Sequence, residues 1–167
     1  MYRRLSIPQV ALSSAVEVNL IDQPPVEAKC RTGCLLFVVL EHTIAIRVRY
    51  PEVDAMGYLH HSRYLQYFEM GRIELLRAAG HSYADLERQG LFFVVVKVEC
   101  RYKAPARFDQ ELTLLTRIVR QTVVRIDHAY ELRREGQLLA EAATTIACVD
   151  RAGNPQQIPD FLGPHVS

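Results

Sequence analysis

The segment from Arg49 to Leu65 places a carboxylate, Asp54, shortly before the predicted start of a long helix at residue 61. The first backbone N–H groups of a helix have no intrahelical acceptor, and they carry the positive end of the helix dipole. Such groups can polarise a carbonyl, while a nearby carboxylate attacks it or deprotonates a water that does. The pattern therefore indicates acyl transfer, although a carboxylate here could also simply cap the turn or helix.

The four cysteines do not form a metal-binding or redox pattern. Cys30 and Cys34 are separated by three residues, which is neither a CxxC pair nor half of a paired-CxxC zinc site. Cys100 and Cys148 fall in alternating apolar segments, as is typical of small buried side chains in a reducing compartment. We therefore expect neither a metal nor a cofactor.

The composition is that of an ordinary globular domain. The chain has 167 residues, of which 49% are hydrophobic and 23% charged, and its formal net charge is +1. This balance gives no global field for nucleic acid or an anionic membrane, and the longest apolar run, Leu35 to Leu40, is too short to span a bilayer. We expect a cytoplasmic protein with no nucleic-acid partner and no stable membrane insertion.

The elements that must position Asp54 can be read from periodicity. Residues 1 to about 33 show no regular pattern and predict a loosely attached arm, whereas alternation from Thr43 to Val48 predicts a half-buried strand. Residues 61–79 predict one long helix, with Gly71 at a close contact and Gly80 as its stop. Its expected buried residues are Leu65, Phe68, Leu75, Leu76 and Ala79.

A second, shorter helix is predicted from Ser82 to Arg88, and everything after Gly90 alternates like strands. The residues expected to share one face of the first of these strands are Val94, Val96, Val98, Cys100 and Tyr102. Those expected on one face of the last strand are Leu138, Ala140, Ala142, Thr144, Ile146 and Cys148. One strand, a long helix and four strands in a meander predict an α+β fold, in which an antiparallel sheet covers the helix.

The chain resembles the 4-hydroxybenzoyl-CoA thioesterase family of hotdog-fold proteins, and within it the branch of short-chain acyl-CoA thioesterases associated with the Tol-Pal system. The motif positions that carry this resemblance are Tyr50, Asp54, Gly57, His61, Tyr64, Tyr67, Phe68, Glu69, Arg72, Glu74, Tyr102–Arg107 and Glu111–Leu112. The similarity spans residues 43–162. It implies a hotdog domain there, a partly disordered N-terminal extension over residues 1–42 and a short tail over residues 163–167.

The resemblance implies a five-stranded antiparallel sheet wrapped around the helix, and acyl-CoA hydrolysis without metal or a Ser-His-Asp triad. By position, Asp54 becomes the catalytic carboxylate and the His61 backbone N–H polarises the carbonyl, helped by Gly57 and Tyr58. The His61 side chain is a candidate for positioning substrate or water, with a structural role as the alternative. Tyr64 joins the substrate-binding residues.

A basic row surrounds the strand that ends at Pro105; its members are Lys97, Arg101, Lys103 and Arg107. Such a row could bind the phosphates of a coenzyme A tail. The alternative is that these residues are the solvated face of an alternating strand.

Other ionisable residues are expected to be structural. Glu69 could be the helix carboxylate of another hotdog branch, but Asp54 already fills that role, and Glu69 can pair with Arg72 or pack at an interface. His60 and His81 are expected at loops or helix ends, and His128 is expected as a satisfied core histidine.

The leading interpretation is an acyl-CoA thioesterase. An acyl-carrier-protein thioesterase would break the same bond, and a non-catalytic acyl-CoA-binding module or a hotdog dehydratase are further alternatives.

A five-stranded open sheet leaves two edges, and the Val-rich strand after Phe92 is a poor candidate for an exposed one. We therefore expect a homodimer with composite active sites, or a dimer of dimers.

Overall fold

A computed structural model describes residues 41–159 of the chain. Its elements in chain order are β1 Glu41–Arg47, a 3-10 turn at Tyr50–Glu52, α1 His61–Ala78, α2 Tyr83–Arg88, β2 Phe92–Tyr102, β3 Glu111–Gln121, β4 Arg125–Arg134 and β5 Gln137–Val149. Almost all of the predicted N-terminal extension, and the predicted C-terminal tail, lie outside the described residues. Within residues 41–159, no helix is both long and apolar enough to cross a bilayer.

The five strands form one antiparallel sheet in the order β1-β3-β4-β5-β2. The long helix α1 packs against β1 and β3, and Ser82 begins α2 by accepting a hydrogen bond from the Asp85 N–H at 3.2 Å. The predicted α+β fold and its two helices are confirmed. The predicted four-strand meander is wrong, because β2 pairs with β5 and not with β3, and only β3, β4 and β5 form a meander.

The buried stripe of α1 differs from the predicted one. Tyr64 and Tyr67 are 3% and 2% exposed, whereas Leu65 is 43% exposed. Leu65 was therefore wrongly predicted as a core residue. The stripe instead continues through residues 68, 71–72 and 75–76, because side chains three and four positions apart share one helix face.

Two β-bulges overturn parts of the predicted alternation. In β2 the pairing skips Val96, so Val95 lies opposite Ile146 while Val98 lies opposite Thr144. Paired residues share a sheet face and both β5 partners are buried. The helix-facing side of β2 therefore changes at Val96, and the predicted grouping of Val94 and Val96 with Val98 is wrong.

The second bulge inserts one extra residue into β5. Leu132 pairs with Ala140, while Arg133 pairs with Leu138, which leaves Leu139 between them. Leu139 is fully buried, and Leu138 is only partly buried. The prediction that Leu138 faces the core is therefore corrected to Leu139.

The core has two apolar clusters on the helix side of the sheet. One cluster lies under α1 and includes Phe68, Leu114 and Leu132. The other includes Leu76, Leu86 and Ile146, and α2 supplies Leu86 to it. The first cluster supports the first half of α1, which is the half that follows the Asp54 loop.

His128 is in the core as predicted, but it is not fully satisfied. Its imidazole is 4% exposed, and its Nδ1 has no hydrogen-bond partner among the described residues. Burial, and to a smaller extent the nearby Arg72 guanidinium, lower the pKa of His128 to about 3. The side chain is therefore neutral at ordinary pH.

Candidate active site

The residues between β1 and α1 form a small hairpin that carries Asp54 at its tip. The Asp54 N–H donates to the Tyr58 carbonyl at 2.8 Å, and Val53 pairs with Leu59. Gly57 has φ of 74°, which is the left-handed conformation that glycine adopts without a Cβ penalty. The chain thus turns back tightly between Val53 and Leu59, just before α1 begins at His61.

The Asp54 carboxylate is held by one oxygen and open at the other. Its Oδ1 accepts the backbone N–H groups of Met56 at 2.8 Å and Tyr58 at 3.1 Å. No residue of the described part of the chain donates to its Oδ2. Asp54 therefore closes the turn, as the structural alternative held, and it also keeps a fixed oxygen available for chemistry.

The first turn of α1 is capped by His60. The Nδ1 of His60 accepts the Ser62 N–H at 3.3 Å, and the His60 carbonyl accepts the Arg63 N–H at 2.9 Å. The His61 N–H has no acceptor within residues 41–159. His60, predicted only as an exposed loop or helix-end residue, is a half-buried N-cap that leaves the His61 N–H available.

The predicted help from Gly57 and Tyr58 takes a different form. The Gly57 N–H donates to the Asp54 carbonyl at 2.9 Å, and the Tyr58 N–H donates to the Asp54 side chain. Neither N–H is free to bind a substrate carbonyl, because both already close the turn. Their contribution is to shape the hairpin that fixes Asp54.

The C-terminal end of β2 contacts the start of α1. The hydroxyl of Tyr102 donates to the His61 carbonyl at 3.1 Å, and the Tyr102 ring meets the Tyr64 ring edge-on with centroids 4.9 Å apart. Burial raises the pKa of Tyr102 to about 12, so the phenol remains a donor. Of the two candidates at this end of α1, Tyr64 is buried and the His61 side chain is exposed.

Arg107 is the member of the predicted basic row that lies beside the Asp54 hairpin. Its guanidinium carbon sits 4.5 Å from the centre of the Tyr58 ring, and its Nη2 donates to the Tyr58 hydroxyl at 3.3 Å. A Cβ placed on Gly57 would lie 3.9 Å from Arg107 Nη1. The structure thus brings Gly57, Tyr58 and Arg107 together.

Of the other three basic residues, Lys97 and Arg101 are exposed on β2 and Lys103 is exposed just after its end. Lys97 pairs with Glu99 at 2.8 Å, Lys103 pairs with Glu141 at 3.0 Å, and Arg101 is aligned with Glu141 in the β2–β5 register. Neighbouring carboxylates therefore offset much of the positive charge of this part of the row.

Glu69 is exposed on α1 and forms no ion pair with Arg72 among the described residues. The expected pair is absent because Arg72 is buried and donates to the Tyr130 hydroxyl at 3.1 Å instead. The described residues contain no group of three or more His, Cys, Asp or Glu side chains that could hold a metal ion.

Residues 48–165 match the sequence model of the thioesterase-like superfamily. The acyl-CoA thioesterase YbgC of Haemophilus influenzae is 35% identical over 106 residues, which are 63% of this chain and 78% of that protein. The acyl-CoA thioester hydrolase YbgC of Escherichia coli O6:H1 is 34% identical over 106 residues, covering 63% of this chain and 79% of that protein.

Solved structures agree with these sequence matches. The DHNA-CoA thioesterase of Staphylococcus aureus superposes with a TM-score of 0.68 at 28% identity, covering 70% of this chain and 80% of that one. The predicted hotdog fold is thereby confirmed. The matched region contains the Asp54 hairpin, both helices and β2 to β5.

Proposed function

Because the chain belongs to the thioesterase-like superfamily, we propose that it hydrolyses the thioester bond of an acyl-CoA to a free acid and CoA. The similar proteins named acyl-CoA thioesterase or thioester hydrolase support this reaction. The structural observation that carries the proposal is the Asp54 carboxylate. Two N–H groups fix one of its oxygens, and within residues 41–159 nothing donates to the other. It stands in the loop that leads into α1, whose first N–H, that of His61, has no acceptor in the same described part of the chain.

The reaction needs one electrophilic and one basic element. The His61 N–H donates to the thioester carbonyl oxygen and stabilises the negative charge that develops there. Asp54 Oδ2 takes a proton from water as the water oxygen bonds to the acyl carbon, or it bonds to that carbon itself and forms an anhydride that water cleaves. In both routes the C–S bond breaks, CoA leaves as a thiol after protonation, and the acid is released.

Arg107 is the best-placed group for the phosphate-bearing part of CoA. It lies beside Gly57 and Tyr58, and its guanidinium can bind a phosphate through two donors. The predicted contributions of Lys97, Arg101 and Lys103 are smaller in this proposal, since carboxylates already neighbour them.

The same proposal includes assembly into a homodimer, or a dimer of dimers, through β2. This strand is at the edge of the sheet, and Val94, Val95, Val96 and Val98 are each between 41% and 52% exposed. A two-fold partner strand would bury this apolar edge and place the partner's β2 near the Asp54 hairpin. Substrate would then bind between two protomers.

A panel of acyl-CoA esters tests the function, with short aliphatic, long aliphatic and aromatic acyl groups and with release of free thiol as the signal. Turnover of at least one ester well above the uncatalysed rate is expected, and a preference for short chains would support the Tol-Pal-associated branch. Binding of CoA esters without thiol release would instead identify a non-catalytic binding protein. The same acyl group on acyl carrier protein separates the two carriers.

A further inference from the structure

Glu52, at the end of the 3-10 turn, contacts both the neck of the Asp54 hairpin and the long helix. Its Oε2 accepts the Tyr67 hydroxyl at 2.6 Å and the Arg49 N–H at 2.7 Å. Its backbone carbonyl accepts the His60 N–H at 2.9 Å. One residue thus joins the exit of β1, the N-cap of α1 and the second turn of that helix.

Tyr67 is suited to act as a rigid anchor for Glu52. Its side chain is 2% exposed and packs in the first core cluster, so the ring has little freedom to move. Burial, followed by the hydrogen bond to the Glu52 carboxylate, raises the pKa of Tyr67 above its usual range. The phenol therefore stays protonated and donates a short, charge-assisted hydrogen bond.

The Glu52–Tyr67 bond ties the segment that carries Asp54 to the helix that carries the His61 N–H, the two groups that act in the proposed reaction. Asp54 follows Glu52 by two positions along the hairpin, while His61 and Tyr67 belong to the same rigid helix. Fixing Glu52 to Tyr67 therefore limits how far the Asp54 carboxylate can move relative to the His61 N–H. Displacements of about 1 Å in such a pair can lower turnover by about 10²-fold.

We propose that Tyr67 and Glu52 are positioning residues that set the Asp54 carboxylate against the His61 N–H. The inference rests on the proposed thioester hydrolysis and deepens it. Neither residue touches substrate, and both act through the hairpin. A purely structural role would lower stability without a selective effect on turnover.

Tyr67→Phe removes only the hydroxyl and keeps the buried ring. We expect kcat to fall about tenfold while KM changes less than about twofold, because the binding surface is intact but the reacting groups are less well aligned. Glu52→Gln retains an acceptor for Tyr67 and should keep most of the activity, whereas Glu52→Leu should match Tyr67→Phe. The Tyr67→Phe/Glu52→Leu double variant should be no worse than either single variant.

Tyr130→Phe is the matched control. Tyr130 is as buried as Tyr67, and its hydroxyl is also bonded, to Arg72 at 3.1 Å and to Thr144 at 2.7 Å. Within residues 41–159 that hydroxyl makes no hydrogen bond to the hairpin. This variant should lose stability and keep kcat within about twofold. An equal loss of kcat in Tyr130→Phe, or more than half of wild-type kcat in Tyr67→Phe, would overturn the proposal.

Hydrogen exchange provides a readout that needs no substrate. The N–H groups of Asp54, Gly57 and Tyr58 should exchange at least about fivefold faster in Tyr67→Phe and at wild-type rates in Tyr130→Phe. Wild-type exchange in Tyr67→Phe would refute the positioning role. If the exchange rates follow this pattern but the wild-type protein cleaves no acyl-CoA, the proposed function is refuted and the fixing of the hairpin by Tyr67 is not.

Discussion

Gly71 in α1 lies so close to Thr116 in β3 that a Cβ built on the glycine would come within 2.2 Å of the Thr116 Oγ1. The next nearest atom to that Cβ, a methyl carbon of Leu114, would be 2.9 Å away. No real side chain tolerates the first distance without movement of the helix or the strand. The absence of a side chain at Gly71 therefore lets α1 lie directly on the sheet.

Gly71→Ala should accordingly destabilise the fold by about 1–3 kcal/mol, the usual range for overpacking a dense core. Thr116→Ala removes the clashing oxygen, which has no hydrogen-bond partner within residues 41–159. The Gly71→Ala/Thr116→Ala variant should therefore be more stable than the sum of the two single changes predicts. Urea unfolding of all four proteins measures this coupling, and strict additivity would contradict the close-contact explanation.

The sequence was sufficient to predict the elements and the contact at Gly71, because these depend on local signals. Helical spacing marked α1, Ser82 marked the start of α2, and a lone glycine within a helix indicated a close approach. The bulges at Val96 and Leu139 could not be predicted. A bulge depends on how two strands are paired, and an apolar run such as the valines of β2 is compatible with either face.

The candidate site, like the fold, could be predicted where it depends on local sequence and not where it depends on how the chain folds back. Asp54 before a helix start was visible from residue types and spacing alone. That the Gly57 N–H is committed to the turn, and that Tyr67 reaches Glu52, depends on the folded path of the hairpin. Tyr67 could have been suspected only from its place in the motif, since a tyrosine at helical spacing more often signals core packing.

Asp54→Asn should lower kcat by at least about 10²-fold with the protein still folded. The amide oxygen can still accept the Met56 and Tyr58 N–H groups, but the side chain no longer supplies a nucleophilic or basic oxygen. Thiol release on the best acyl-CoA ester measures the loss. Asp109→Asn makes the same chemical change at an exposed turn and should be nearly neutral; more than half of wild-type turnover in Asp54→Asn would remove Asp54 from the mechanism.

Gly57→Ala, compared with Gly80→Ala, tests whether the backbone geometry of the hairpin limits turnover. Gly57 and Gly80 have φ of 74° and 86°, so an alanine at either position should destabilise by about 1 kcal/mol. Only Gly57 shapes the turn that holds Asp54, and we expect about a fivefold lower kcat for Gly57→Ala and wild-type kcat for Gly80→Ala. Equal turnover in the two variants would show that the hairpin geometry does not limit the reaction.

The buried His128 should make the fold less stable in mild acid. Its folded pKa, about 3, lies below the ordinary value of about 6.5. As pH falls below the ordinary value, the unfolded chain takes up a proton that the folded protein cannot, and stability is lost down to the folded pKa. Between pH 7.5 and pH 5 this linkage amounts to about 2 kcal/mol.

His128→Leu should remove that part of the acid sensitivity. The free energy of unfolding from urea titrations at pH 7.5 and pH 5 should then change by about 2 kcal/mol less than in the wild type. His42→Gln, on the edge strand β1, should retain the wild-type difference. Identical pH dependence of the wild type and His128→Leu would contradict a neutral buried imidazole.

The two edges of the sheet differ in a way that bears on assembly. On β1, Arg47 pairs with Glu111 at 2.7 Å and Glu41 pairs with Arg117 at 2.9 Å, so charges border this edge within the described residues. β2 also carries charges, at Lys97, Glu99 and Arg101, but it adds a run of exposed valines that the described part of β1 lacks. Charged edges resist strand pairing and apolar edges promote it, and β2 is therefore the edge that we expect to bind a second protomer.

Val95→Lys combined with Val98→Lys should convert the proposed dimer to monomers, because pairing would bring like charges together at a buried strand. Sedimentation velocity at assay concentrations measures the oligomeric state. The rate of thiol release should fall as the dimer is lost, since the proposed sites form between protomers. Val123→Lys changes a valine that is 52% exposed in the β3–β4 connection and should leave both unchanged. A wild-type monomer with full activity would refute both the pairing of β2 and the composite site.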